Sequence, residues 1–344
     1  MKIITTYPDT NTYPVQMLSL LSCGDLFFDI ETTGLSKTHH SIYLIGCMYL
    51  EDNKLVIKQY FAEDITDEKE LLEQFTSFAS AYARLLSFNG DTFDLPFISE
   101  KLSCYSLADP FNEKETIDLY KIAKNYQHIL KTENLKQKSI EHALGCYRND
   151  KYSGGELIQT YHDYVRTKNS QLFDLLMLHN YDDMLGMTYL LSLLSFHNVF
   201  RSLKNMNVEV ISQMNYEKIY ELQLIISSDT PLALATTLSY SVDDYYITFS
   251  SAGFRLAVGL TGNCAKVPYA NYKDYVYLPL EDMAIPKVLS GGIPKTDMAK
   301  CTMENCYGWL EMNHHFLNNP EAIRSYTEKV LTYIFTCKKK TPKK

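Results

Sequence analysis

No apolar run in this 344-residue sequence is long enough to cross a bilayer. The longer ones, such as Leu190–Leu194, fall far short of the roughly 20 residues a spanning helix needs. The opening Met-Lys-Ile-Ile-Thr-Thr-Tyr-Pro has no extended apolar core of the kind a secretory signal carries. No Cys-x-x-Cys pair occurs among the 8 cysteines, Cys23, Cys47, Cys104, Cys146, Cys264, Cys301, Cys306 and Cys337. Reduced, buried or inert thiols and a cytoplasmic location are therefore expected. Positive charge is not in excess: 33 Lys and Arg against 41 Asp and Glu give a net charge of −8. That balance argues against a protein that grips nucleic acid through its global field, but not against an enzyme that acts on nucleic acid with carboxylates. Ser290-Gly-Gly-Ile-Pro-Lys295 lacks the Gly-Lys-Ser/Thr ending of a phosphate loop. Cys301 and Cys306, five apart with His314 and His315 downstream, lack zinc-finger spacing. No Ser/His/Asp or Cys/His/Asn signature stands out, and no repeat or low-complexity segment occurs before the terminal lysines.

What is present begins at Asp25-Leu-Phe-Phe-Asp-Ile-Glu-Thr-Thr-Gly-Leu35. An apolar run rich in Phe and Ile, stopped by Thr-Thr-Gly, predicts a buried strand with a turn at its end. Asp29 and Glu31 are i and i+2 on that strand, so both carboxylates point to one face. Two ionised carboxylates side by side repel unless a proton or a cation separates them. A hard divalent cation such as Mg²⁺ or Mn²⁺ suits carboxylate oxygens best. A bare Asp-x-Glu running into solvent needs no such partner; the flanking Phe-Phe and Thr-Thr-Gly-Leu argue against that alternative.

The length suggests two domains, and 46% hydrophobic with 22% charged residues is a globular composition. Residues 25–63 predict three strands: the carboxylate strand, Ser41–Leu50 and Lys54–Phe61, the last two joined by a turn at Glu51-Asp52-Asn53. Apolar Leu71, Leu72, Phe75, Phe78, Ala79 and Tyr82 predict a helix over Glu68–Ala83. A short strand over Leu85–Phe88, a helix opened by Asp94 as N-cap and a strand over Thr116–Leu119 come next. Helices are then expected over Lys136–Leu144, Gly155–Lys168 and Gln171–His197, making a mixed α/β domain. Beyond it, alternating segments Leu222–Ile226, Leu232–Tyr240, Tyr245–Ser250 and Gly253–Gly259 predict antiparallel strands, closed by a helix over Glu321–Phe335. The expected domains are thus 1–205, α/β, and 206–344, β-rich with a final helix. The Lys338–Lys344 tail, with five lysines in seven residues, is expected to be disordered. Tyr269, Tyr272, Tyr275 and Tyr277 with Lys266, Lys273 and Lys287 are expected as half-buried sheet residues, a clamp for single-stranded nucleic acid being the other reading.

Two further segments carry acids. In Ser87-Phe-Asn-Gly-Asp-Thr-Phe-Asp94, the last acid begins a helix just after a strand end, where a carboxylate reaches a cleft; alone it reads as an N-cap, with Asp91 as a turn residue. In His179-Asn-Tyr-Asp-Asp183, His179 and Asp183 are i and i+4 and share a helix face, while Asp182 points about 100° away. Alone, that pair reads as a polar surface pair.

In this order, Asp-x-Glu, Asn-Gly-x-x-Phe-Asp and a helical His with Asp four residues on resemble the DEDD superfamily of 3′→5′ exonucleases. The resemblance is nearest to the predicted bacterial exonucleases of the YprB type. Thr116-Ile-Asp-Leu119, Leu135 through Leu144-Gly145, Tyr152-Ser-Gly-Gly-Glu156 and His179-Asn180 match as well, over about residues 20–200. Tyr272 to Ala284 resembles the C-terminal extension of relatives. The resemblance implies a ribonuclease H-like mixed sheet flanked by helices, with a β-rich (α+β) accessory domain. It implies that Asp29, Glu31, Asp94 and Asp183 hold two Mg²⁺ or Mn²⁺ ions, Asp29 bridging both, for hydrolysis at single-stranded DNA or RNA 3′ ends. His179 stands where many relatives carry Tyr, and those that use His commonly place it one residue earlier. It therefore either orients or deprotonates the attacking water, or only hydrogen-bonds nearby. Thr32, Thr33 and Leu35 match positions that cradle the terminal nucleotide, and Asn89 and Gly90 fit a backbone approach to the strand being cut. Asp118 matches a family position and fits a strand-end structural role equally. A non-catalytic nucleic-acid-binding or adaptor module of the same fold and a metal-dependent endonuclease or structure-specific RNase remain the alternatives.

Overall fold

In a computed structural model of the protein, which describes residues 1–148, 154–199, 203, 205–214 and 220–337, the carboxylate strand lies inside a six-stranded sheet. The strands are β1 (Lys2–Thr6), β2 (Asp25–Thr32), β3 (Ile42–Glu51), β4 (Lys54–Phe61), β5 (Arg84–Ser87) and β6 (Glu115–Asp118), in the order β1-β4-β3-β2-β5-β6. The β1–β4, β4–β3 and β3–β2 pairs are antiparallel, whereas β2–β5 and β5–β6 are parallel, so the sheet is mixed. Helices α1 (Glu68–Ala79), α2 (Asp94–Cys104), α3 (Leu119–Leu130), α4 (Gln137–Ala143), α5 (Gly154–Thr167), α6 (Ser170–Leu190) and α7 (Ser192–Val199) complete this half of the chain. The chain divides into two compact units, the first comprising Met1–Gln127, Lys131–Leu194 and Ala233–Ala235.

Strand periodicity decides which side of β2 is greasy. Leu26, Phe28 and Ile30 share one face and join a core with Leu71, Leu72 and Phe75 of α1, the Phe28 and Phe75 rings 6.1 Å apart. Tyr43 of β3 stacks on Tyr161 of α5 at 4.0 Å in the same cluster. Each such fully buried side chain contributes roughly 1.5–3 kcal/mol. Asp29 and Glu31 are left to the opposite face. At the foot of the sheet Arg84 grips buried Asp25 through two hydrogen bonds of 2.7 and 2.6 Å, fixing β5 beside β2.

The second unit holds a five-stranded antiparallel sheet of β7 (Met206–Met214), β8 (Tyr220–Ser228), β9 (Leu238–Val242), β10 (Tyr245–Ser250) and β11 (Gly253–Gly259), ordered β7-β8-β11-β10-β9. Smaller sheets follow: β12 (Cys264–Pro268) pairs with β16 (Tyr307–Glu311), and β13 (Tyr275–Leu278) lies between β14 (Met283–Pro286) and β15 (Ala299–Lys300). Helices α8 (His314–Leu317) and α9 (Pro320–Thr336) end the described chain. Tyr269, Tyr272, Tyr275 and Tyr277 pack half-buried against Ala284, Cys301 and Cys306. Lys266 is paired with Asp244 at 2.9 Å and lies over the Tyr307 and Trp309 rings.

Several expectations need correction. The strand expected to end at Leu119 stops at Asp118, and Leu119 opens the unforeseen α3. The long helix expected to reach His197 is broken at Leu191 into α6 and α7. Of Leu232–Tyr240, only the part from Leu238 is a strand. Strands β1, β7, β12 and β16 were not foreseen, and of the tyrosines expected in a sheet Tyr275 and Tyr277 lie in β13 whereas Tyr269 and Tyr272 lie outside the strands. The Lys338–Lys344 tail, with Tyr152 and Ser153 of the Tyr152–Glu156 segment, lies outside the described residues.

Candidate metal centre

The site is built where β2 runs out of strand partners. β2 pairs with β5 only over Asp25–Phe27, and on its other side the register with β3 slips between Glu31 and Thr32. The Ile30 amide, between the two acids, donates to Asp94 Oδ1 at 3.0 Å. Asp94 is therefore not the expected N-cap. It is the first residue of α2, buried, and its carboxylate takes the Ile30 amide of β2 as well as its own amide.

From the other side comes α6. His179 and Asp183, one helical turn apart, face β2: His179 Nε2 stands 3.1 Å from Asp183 Oδ2 and 3.6 Å from Glu31 Oε1. Among the described residues, donor atoms of Glu31, His179 and Asp183 lie within 4.8 Å of one another. Asp29 and Asp94 are not in that group of three, yet Asp29 feels the charges of Asp94, Glu31 and Asp183. The structure thus brings the four acids and the histidine around the end of β2. Glu31 and Asp183 side chains each retain 15% exposure, so the pocket is open to solvent.

Burial, and then the like charges of Asp94, Glu31 and Asp183, push the Asp29 carboxyl well above the ordinary range, with Arg148 opposing. Asp94 is pushed up to about 7, chiefly by burial, although the Ile30 amide and its own amide favour the charged form. Burial acts the same way on Asp183, but the His179 hydrogen bond and the Arg148 charge outweigh it and hold Asp183 below its usual value. Hard oxygen donors crowded until one carboxyl resists ionising are what a divalent cation relieves, so these residues fit such an ion.

The residues matched to substrate contacts lie nearby in sequence, with varied surroundings. The Thr32 hydroxyl donates to the Gly34 carbonyl at 2.8 Å, and Thr33 Oγ1 accepts from the Ser41 amide at 2.9 Å, so both hydroxyls close the turn after β2. Leu35 is 84% exposed, with no apolar cover. Asn89 adopts a left-handed backbone (φ 66°), its amide donating to Asp118 Oδ1 at 2.8 Å and its side-chain oxygen accepting from Thr92 at 2.6 Å. At Gly90 a Cβ would meet Ser87 Oγ at 2.3 Å, so the turn needs glycine there. Asp118 caps α3, accepting from the Tyr120 amide at 3.0 Å, and Asp91 is ion-paired with Lys121.

Sequence reasoning missed the supports of the acids. Gln59 Nε2 donates to Asn180 Oδ1 at 2.9 Å, and fully buried Asn180 reaches Asp29 Oδ2 through Nδ2 at 3.4 Å. Gly46 of β3 leaves room for it: a Cβ there would stand 2.3 Å from Asn180 Oδ1. On the other flank Arg148 is held by buried Glu141 through two hydrogen bonds of 2.6 and 2.7 Å and donates to Asp183 Oδ1. The available signals were Asn180 beside the histidine and glycines inside a strand and a helix; nothing in the spacing of Glu141 and Arg148 announces their pairing.

Comparison with known proteins agrees with this architecture. Residues 26–195 match the RNase_H_2 model of the RNase_H superfamily. The first unit has the ribonuclease H-like fold. That match and the acid cluster support a nuclease, and nucleases of this fold generally use divalent metals. No curated protein matches the chain. Among solved structures, the family B DNA polymerase of the hyperthermophilic archaeon Pyrobaculum calidifontis is similar at 15% identity and TM-score 0.42, over 52% of this chain and 26% of that one. The zinc-ion-bound E. coli ExoI–ssDNA complex is similar at 12% identity and TM-score 0.30, over 93% of this chain and 74% of that one. At such scores neither likeness bears on function. Among the described residues, no helix is long and apolar enough to cross a membrane.

Proposed function

We propose that this protein is a two-metal-ion 3′→5′ exonuclease of the DEDD type, nearest the YprB group, acting on single-stranded DNA or RNA ends. The observation that carries the reading is the convergence of Asp29, Glu31, Asp94 and Asp183 on the end of β2, so crowded that burial and mutual repulsion raise the Asp29 carboxyl. Asp29, Glu31, Asp94 and Asp183 are assigned to hold two Mg²⁺ or Mn²⁺ ions. Bound there, the ions would supply the positive charge and the activated water that phosphodiester hydrolysis needs.

The remaining roles belong to the chain itself. His179, between Glu31 and Asp183, orients the attacking water or takes its proton. Leu35, exposed, is assigned to wedge against the terminal base, and Thr32 and Thr33, with hydroxyls engaged in the turn, to offer backbone groups to the terminal nucleotide. Asn89 and Gly90 line the approach on the α2 side through backbone.

Linear single-stranded, duplex and circular DNA and RNA, end-labelled and incubated with titrated Mg²⁺ or Mn²⁺, test the reading. Linear single strands should shorten from the 3′ end only when metal is present, and circles should persist. Cut circles would replace the exonuclease with an endonuclease. All substrates left whole would make the chain a non-catalytic binding module.

A further inference from the structure

Arg148 is unusual in its surroundings. Its side chain is 8% exposed, and its charge stands against a pocket that, on the reading above, awaits divalent cations. The planar fork of the guanidinium is taken by the two oxygens of Glu141, and the remaining nitrogen donates to Asp183 Oδ1. The other Asp183 oxygen faces His179. Both oxygens of the α6 acid are therefore engaged within the protein. This is a built arrangement. Glu141 is buried, Gln137 also donates to it at 2.9 Å, and its carboxylate fills the space beside Gly186, where a Cβ would stand 2.1 Å from Oε1. His179, Asp183 and Gly186 thus use one face of α6, at i, i+4 and i+7, for one network.

From this we infer that Arg148 is an internal counter-cation: it holds Asp183 while the pocket is metal-free and competes with an incoming divalent ion for that carboxylate. The inference rests on the metal-site reading of the acid cluster. Its physical ground is that a guanidinium and a metal ion, both positive, claim the same buried oxygen. Protons on the raised Asp29 and Asp94 carboxyls relieve part of the crowding among the four acids, whereas Asp183, held below its usual value, keeps its charge beside Arg148, which also draws the Asp29 carboxyl downward. The Glu141–Arg148 pair carries no net charge, so the pocket keeps its demand for cations while the end of the pair nearest Asp183 is positive.

The test titrates Mn²⁺ alone into the full-length, metal-stripped protein, counting free Mn²⁺ by electron paramagnetic resonance. Arg148→Met by itself leaves Glu141 buried without a counter-charge, so the working comparison is the paired variant Glu141→Gln/Arg148→Met. The paired variant should bind Mn²⁺ about tenfold more tightly than the parent, the scale of one charge-assisted hydrogen bond removed from the competitor. Unchanged or weaker binding would overturn the inference, because Arg148 would then be assisting the metal by orienting Asp183. A parent protein that binds no Mn²⁺ would bring down the metal-site reading itself, a failure visible without any variant. A second measurement needs only the parent: with ¹⁵N-labelled arginine, Mg²⁺ should shift the Arg148 Nη resonances as the contact to Asp183 opens. Resonances unmoved at saturating Mg²⁺ would refute the competition.

Discussion

Asp94→Asn preserves the size of the side chain and the acceptor that the Ile30 amide uses, and removes only the charge. Burial pushes the Asp94 carboxyl up to about 7, against 3.8 for an ordinary aspartate. A carboxyl raised in this way stabilises the fold below its unfolded value, and that stability is lost as pH rises through the folded value. The parent should therefore lose stability relative to Asp94→Asn between about pH 4 and pH 7, and the difference should then level off. Three pH units of displacement correspond to about 4 kcal/mol, an upper bound because Asp29 shares the pocket's protons. For a unit of this size that is on the order of 10 °C in melting temperature. Melting curves in EDTA from pH 4 to 8 measure it. Parallel curves for the two proteins would refute the argument that Asp94 is held in an acidic, desolvated pocket. Adding Mn²⁺ at pH 8 should reverse the order, since only the parent keeps all the carboxylates.

Asp29→Ala should abolish detectable cleavage while raising the metal-free melting temperature, because repulsion is relieved; a lowered melting temperature would show that the Asn180 contact matters more than the charge. His179→Phe should reduce kcat by about 10²–10⁴ if the imidazole moves a proton, and a kcat equal to the parent's would leave it as a hydrogen-bonding partner. Asp118→Ala should destabilise the fold by about 1–2 kcal/mol through loss of the α3 cap, with cleavage kept within a few-fold; a loss of cleavage on the scale of Asp29→Ala would make Asp118 part of the chemistry.

The heart of the fold was readable because period-2 alternation along β2 is a local property: Leu26, Phe28 and Ile30 face one way and Asp29 and Glu31 the other, whatever the rest of the chain does. The i, i+4 relation of His179 and Asp183 is equally local. Helix α3 escaped because Asp118 both ends β6 and caps the helix, so no turn residues separate strand from helix. The Asp94 expectation failed for a tertiary reason: the acceptor it offers satisfies an amide on another strand, which an N-cap rule cannot foresee. The Gln59–Asn180–Asp29 and Glu141–Arg148–Asp183 supports depend on pairings across the fold, and a single sequence carries no record of them.

Gly46 and Asn180 meet so closely that no side chain can be added at 46 without displacing the Asn180 amide. Any side chain at 46 must find its volume in a smaller residue at 180, and shrinking 180 strips Asp29 of its neighbour and Gln59 of its acceptor. A strand position with no chemistry of its own thereby acquires the constraint of the site it abuts. Position 46 can drift only together with position 180, and the drift ends where the first acid is no longer held.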